Sequence, residues 1–233
     1  MLELESSGGV ARVFLNRPGK VNALTSAFLS ELIDAFENLK SETALRAVVL
    51  GGRGNAFCGG ADVNELRALT ADNAGTFVEK IHRVCQAIRR LPVPVVARLH
   101  GAAIGAGLEI AAACDLRIAA EGTKFAMPEV RLGIPSVVEA ALLPRLMGSG
   151  RAAWLVLTGE AIDARRAYEW GLVEEVCPPD QLDNRVDALL KTLLAGEREA
   201  LCVQKELLQL WDEAPLAKSV AASIERFAQA HKK

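Results

Sequence analysis

Several things this chain is short of narrow the reading first. Its 233 residues include only three histidines, His82, His100 and His231, with no H-x-x-x-H pair and no Cys/His cluster. No metal site is therefore expected. The five cysteines, Cys58, Cys85, Cys114, Cys177 and Cys202, are odd in number and widely spaced, and none forms C-x-x-C. That pattern favours reduced thiols in a cytosol-like compartment over a disulfide framework, so a cytoplasmic location is expected. A formal net charge of −2 and the absence of a basic stripe leave no general drive toward nucleic acid or an anionic membrane. No apolar run reaches the roughly 18 to 20 residues that span a bilayer. Met1 to Glu5 opens with acidic residues rather than a positive segment followed by an apolar one, so no secretory signal is expected. Two nucleotide-binding signatures are missing as well. "FCGGAD" at Phe57 to Asp62 is not followed by Gly-Lys-Ser/Thr, and no glycine falls three residues after Gly107, so neither a P-loop nor a dinucleotide fingerprint is present.

What remains is a sequence with half its residues hydrophobic and an ordinary share of charge, long enough for one substantial core. Short apolar, β-branched runs alternate with helical patterns in the first two thirds. Val10 to Asn16, Arg46 to Leu50, Pro94 to Leu99, Asp115 to Ala119, Lys124 to Ala126 and Leu172 to Val176 read as strands. Helices are expected after Thr25 or Ser26, over Val63 to Leu69, over Asn73 to Leu91 and over Leu108 to Cys114. From Glu139 onward the pattern is chiefly helical, with Ala164 to Trp170 ending at Gly171. "CPPDQL" marks a boundary at which Asp180 is expected to cap the next helix. Helices over Gln181 to Leu194, Glu197 to Trp211 and Leu216 to about Ala230 then complete the chain. This order predicts an α/β core over residues 1–178 and a helical C-terminal segment over 179–233.

One stretch carries chemical content. Pro94 to Glu129 runs from a buried strand through Gly101, Gly105 and Gly107 into a helix of small apolar residues. Such a turn leaves free N–H groups at the helix N-terminus, suited to negative charge that develops on an oxygen. Glu109 lies in the first turn of this helix, and Glu129 follows Pro128 in a similarly apolar setting. Two carboxyls with separated proton affinities can supply a base for water and an acid for carbon. The plainer readings are a dipole-favoured carboxylate at Glu109 and a loop ion pair between Glu129 and Arg131.

"LNRP…NAL" at Leu15 to Leu24, "FCGGADV" at Phe57 to Val63, "GAAIGAGLEIAAACDLRIA" at Gly101 to Ala119, "MPEVRLGI" at Met127 to Ile134 and "LTGEAIDARRAYEWGLV" at Leu157 to Val173 resemble the enoyl-CoA hydratase/isomerase (crotonase) superfamily in content and order. The resemblance runs from about Val10 to Pro179. It implies a spiral of ββα units, helical C-terminal trimerisation into trimers or paired trimers, and a coenzyme A thioester substrate with no separate cofactor. Carried over residue by residue, the thioester oxygen would be held by the amides of Ala61 and Ala106. Glu109 would position and deprotonate water, and Glu129 would deliver the proton to the α-carbon. Coenzyme A would pass Lys20, Val21 and Ala23 and then Gly60, Asp62, Val63 and Asn64. Local capping is an equal reading for Asn22 and Asp62.

The sequence departs from the family after its "LG-x-x-P" turn. Where simple hydratases are glycine-rich, this chain reads "GIPSVVEAALLPRL", with Val138 expected to reshape the acyl pocket. Glu139 is either a further pocket carboxylate or a cap at a helix start. The C-terminus is also short beside that of many relatives. Lys205, Lys218, Lys232 and Lys233 read as solvated surface lysines, with contact to coenzyme A phosphates as the other reading. Cys58 and Cys114 read as packing residues, and Trp154, Trp170 and Trp211 as core or interface. The function expected is reversible hydration of a 2-enoyl-CoA. An enoyl-CoA isomerase, another acyl-CoA lyase and a non-catalytic, RNA-associated relative are the alternatives.

Overall fold

The computed structural model describes residues 1–231; Lys232 and Lys233 lie outside the described residues. The chain opens with a hairpin, β1 (Leu2–Ser7) and β2 (Val10–Leu15), closed by Gly8 and Gly9 and in register from Leu2 opposite Leu15 to Ser7 opposite Val10. Strand β1 is a correction to the sequence reading, which saw only an acidic terminus. Its acidic residues alternate along an exposed edge, where Glu3 and Glu5 both engage Arg53. α1 (Ser26–Lys40) starts at Thr25, whose hydroxyl accepts the amide of Phe28 at 3.1 Å. Its helically spaced Phe28, Leu29, Leu32, Ile33, Phe36 and Leu39 are buried.

β3 (Ala47–Gly52), α2 (Val63–Ala68), α3 (Ala74–Arg89), β4 (Val95–Leu99), β5 (Ala102–Ile104), α4 (Ala106–Ala113), β6 (Leu116–Ala120) and β7 (Lys124–Ala126) follow in order. The remaining elements are α5 (Leu143–Met147), α6 (Ser149–Thr158), β8 (Ile162–Asp163), α7 (Ala164–Trp170), β9 (Glu175–Cys177), α8 (Leu182–Ala195), α9 (Arg198–Glu213) and α10 (Leu216–Ala230). One sheet has the order β1-β2-β3-β4-β6-β9, parallel from β2 onward, and a smaller one has the order β5-β7-β8. Successive turns of the chain thus send one strand to each sheet (β4 with β5, then β6 with β7) before a helix intervenes. An isolated bridge from Cys58 to Ala103 extends the same alternation to the loop after β3. This is the spiral of ββα units that the resemblance implies.

The main core lies between the large sheet and α1, α3 and α4, while α8 covers the other sheet face through Leu182, Val186 and Leu190. α4 is buried along its whole length, which its run of alanine and glycine permits. Two further expectations fail here. Asp180 lies in a short 3-10 turn and does not cap α8, whose N-cap is Gln181 without a side-chain hydrogen bond. Lys205 is neither solvated nor free. It is buried in α9, with Nζ donating to the carbonyls of Ile88 and Val93 and pairing with Asp115 at 2.7 Å. That one ammonium ties α9 to the ends of α3 and β4. Lys218 stays on the exposed side of α10.

Candidate active site

The strand pairing that builds the small sheet also brings two glycine turns together. Cys58 N–H donates to Ala102 O at 2.9 Å, and Ile104 N–H donates to Cys58 O at 3.0 Å, so residues 58–61 run beside residues 102–106. Gly60 has φ +92, and a Cβ there would stand 2.7 Å from Ile104 O and 3.8 Å from Ala106 N. Gly105 has φ +52, and a Cβ there would collide with Oε1 of Glu129. Gly60 therefore needs glycine for shape as well as for conformation, and Gly105 needs it for conformation, since a Cβ there would meet only the movable tip of the Glu129 side chain. On either side of Ala61, Leu24 N–H donates to Gly60 O and Asp62 N–H donates to Leu24 O, each at 2.8 Å. Ala106 is the first residue of α4, where a helix has no internal acceptor. Among the described residues, neither the Ala61 nor the Ala106 amide donates to a backbone carbonyl. Both residues line one cavity of about 240 Å³.

Glu109 and Glu129 line that same cavity. Glu109 is 4% exposed, one turn into α4, and its Oε1 accepts the amide of Ala140 at 3.0 Å. Its pKa is raised to about 8, chiefly by burial. The Ala140 hydrogen bond works against the rise, and the nearby charges of Glu129 and Glu139 add to it. Glu129 begins a 3-10 turn, Glu129–Leu132, and its Oε2 accepts from Ser136 Oγ at 2.8 Å. Arg131 turns away to Thr158 O and Glu160, so the local Glu129–Arg131 pair is not formed. The remaining wall is apolar, with Leu66, Phe77, Val78 and Ile81 on one side and Ile134, Pro135 and Val137 on the other. Val63, Leu132 and Ile134 make an exposed apolar rim.

The other expected contacts divide. Gly60 and Val63 line the cavity, and Val21 packs against Gly59, whose amide donates to Val21 O at 2.8 Å. Lys20 is exposed at the end of a 3-10 turn, Pro18–Lys20, and Ala23 offers its carbonyl to Arg17. Asn22 is fully buried, accepts from Arg17 N and donates to the carbonyls of Arg53, Ala56 and Phe57, so it ties loops together. Asp62 caps α2 through the Asn64 amide and pairs with Arg17 at 2.7 Å. That guanidinium holds its carboxyl below the usual range. Val138 does not line the cavity; Val137 does.

Glu139 is buried in the first turn of a 3-10 segment, Val138–Leu142, and its Oε1 lies 2.8 Å from Nδ1 of His82 on α3. It stands behind Glu109 rather than in the cavity wall. His82, Ser136 and Ala140 went unnoticed in the sequence, because each is separated from its carboxylate partner by distance along the chain or by backbone identity alone. Cys58 and Cys114 are fully buried, and burial raises each thiol to about 12, in keeping with packing roles. Trp154 and Trp170 pack edge to face at 5.4 Å between centroids. Among the described residues no helix is long and apolar enough to cross a membrane.

Two free amides at strand-turn-helix junctions, with two carboxyls in the same apolar cavity, define a class of site suited to a carbonyl oxygen that gains negative charge during reaction. Comparison with known proteins narrows the class. Residues 5–233 match the enoyl-CoA hydratase/isomerase family. The short-chain-enoyl-CoA hydratase of Clostridium acetobutylicum is 32% identical over 97% of this chain and 87% of its own length. The trans-2-decenoyl-[acyl-carrier-protein] isomerase of Streptococcus mutans is 34% identical over 86% of this chain and 78% of its own. The crystal structure of an enoyl-CoA hydratase from Mycobacterium smegmatis superposes with a TM-score of 0.96 at 33% identity, covering 100% of this chain and 91% of that one. The chain belongs to the enoyl-CoA hydratase/isomerase family.

Proposed function

We propose that the protein is an enoyl-CoA hydratase that adds water reversibly across the double bond of a 2-enoyl-CoA. The observation that carries this reading is that two unpaired amides and two carboxyls line one apolar cavity. The thioester oxygen sits on the amides of Ala61 and Ala106, which stabilise the enolate-like anion formed as water attacks the β-carbon. Each such donor is worth about 3–4 kcal/mol in a transition state. Glu109 takes a proton from the water, and Glu129 gives one to the α-carbon, so the atoms of water are added across the double bond. A proton affinity near 8 makes Glu109 a far stronger base than an ordinary glutamate, at the expense of leaving about one molecule in ten ionised at pH 7. Coenzyme A runs along the 20–23 loop and the start of α2, and no separate cofactor is used.

The test follows loss of the conjugated thioester absorbance on a panel of enoyl-CoAs. Glu129→Gln is expected to lower kcat by about 10²–10⁴, and kcat/KM should rise with pH through about 8 as Glu109 ionises. Full activity in Glu129→Gln, or a profile that falls through that range, overturns the assignment. One observation favours a second reading, an enoyl thioester isomerase that shuttles a proton on a single carboxylate: the relative from Streptococcus mutans bears that name. Deuterium exchange at the α-carbon without water addition selects it.

The proposal includes assembly as a cytoplasmic homotrimer or a pair of trimers. On α10, Leu216, Val220, Ile224 and Phe227 are 49–80% exposed at helical spacing, more apolar surface than a lone helix leaves to water. Within residues 179–233, α8 and α9 close the core, and α10 is left for neighbouring copies.

A further inference from the structure

Behind Glu109 lies a second polar arrangement that the hydration chemistry does not use. Val138 has φ +43, a left-handed conformation that a β-branched residue rarely adopts. That turn aims Glu139 inward and the next amide, Ala140 N–H, at Glu109 Oε1, 3.0 Å away. Glu139 is 5% exposed. One of its oxygens lies 2.8 Å from His82 Nδ1, and the other is buried without a hydrogen-bond partner among the described residues. The turn has one internal hydrogen bond, from the same Ala140 N–H to Val137 O at 3.0 Å, and its buried carboxylate is engaged from a different element, α3. His82 itself is 39% exposed along its side chain and does not line the cavity.

We propose that His82 and Glu139 form a clamp that positions Glu109: His82 pins the Val138–Leu142 turn through Glu139, and the pinned turn holds the Glu109 carboxyl by the Ala140 amide. His82 and Glu139 are thus positioning residues, and the clamp's catalytic consequence rests on the hydratase reading. Glu109 then meets substrate in one fixed rotamer, with Oε2 left to face the water. Losing the hydrogen bond from His82 frees the turn to relax toward an unstrained conformation, which withdraws the Ala140 amide.

His82→Ala tests this, since a half-exposed helix position tolerates alanine without unfolding. Against an enoyl-CoA that the parent protein hydrates, kcat is expected to fall at least tenfold with KM changed less than twofold. His82→Asn, whose amide nitrogen reaches about where Nδ1 stood, should recover most of the loss. A merely structural role would move the thermal midpoint and leave the split between kcat and KM untouched. The crystal structure of His82→Ala supplies a readout independent of any substrate, with the Ala140 N to Glu109 Oε1 distance expected to open beyond 3.5 Å. A kcat within twofold of the parent, or an unchanged 3.0 Å contact in that crystal, overturns the proposal. If the parent hydrates no enoyl-CoA, the functional reading fails by itself and the crystallographic distance still decides the clamp.

Discussion

Glu109→Gln makes a prediction about stability that needs no substrate. The folded chain binds the Glu109 proton with a pKa raised to about 8, whereas the unfolded chain releases it at the ordinary 4.5. At about 1.4 kcal/mol for each tenfold change in affinity, that gap corresponds to about 5 kcal/mol. The sign is unfavourable to folding at high pH. Between 4.5 and about 8 the native state carries one more proton than the unfolded state, so stability falls by about 1.4 kcal/mol per pH unit. It is full below 4.5 and level again above 8. Glutamine keeps the acceptor for Ala140 N–H and cannot ionise. Its NH2 group, set in an apolar wall, costs a constant of about 1–3 kcal/mol. The slope, not the offset, is therefore diagnostic. Urea unfolding of both proteins at fixed concentration from pH 5 to pH 9 measures it, and subtracting one curve from the other removes the titrations of groups that do not interact with Glu109. The variant should gain on the parent by about 3–5 kcal/mol across that range. Parallel curves, within about 1 kcal/mol throughout, would refute the burial of a protonated carboxyl at this position.

The other expectations are shorter. Gly60→Ala should lower kcat about a hundredfold, because a Cβ 2.7 Å from Ile104 O at φ +92 forces the two amide turns apart, and steady-state kinetics read it. Lys205→Ala should cost about 3–5 kcal/mol in urea unfolding, since Asp115 and the carbonyls of Ile88 and Val93 lose their shared donor; a loss under about 1 kcal/mol would contradict the buried tie. Ile224→Asp places a charge in the exposed apolar stripe of α10 and should shift light-scattering mass toward the monomer, with kcat per chain measured alongside.

Elements with a strong local period are legible in the sequence. α1, α3 and α7 fall within a residue or two of their patterns, because each buries a stripe that its own residues announce, and α10 matches its pattern as closely although its apolar stripe stays exposed. β5 and β8 are two or three residues long and too short to show alternation, and β1 hides its period behind acidic side chains at a sheet edge. The glycine turns and the pair Glu109 and Glu129 stood out as glycine spacing and as charge in an apolar setting. Lys205 did not, for a lysine on an amphipathic helix looks the same whether it meets water or Asp115, 90 positions earlier. Glu139 resisted for a similar reason. A cap and an inward carboxylate share one sequence, and the choice between them was made by Val138's backbone and by a histidine 57 residues away.

The anion cradle we propose is made of peptide nitrogens, which are common to every amino acid except proline. Drift at positions 61 and 106 can alter the fit around a bound acyl group without deleting the grip on its oxygen. The carboxyls enjoy no such insurance: each can be gained, lost or moved by a single codon. A scaffold divided in this way keeps its hold on activated acyl groups while the reaction performed on them is rewritten, and two relatives bearing the names of different reactions are what such a division would leave behind.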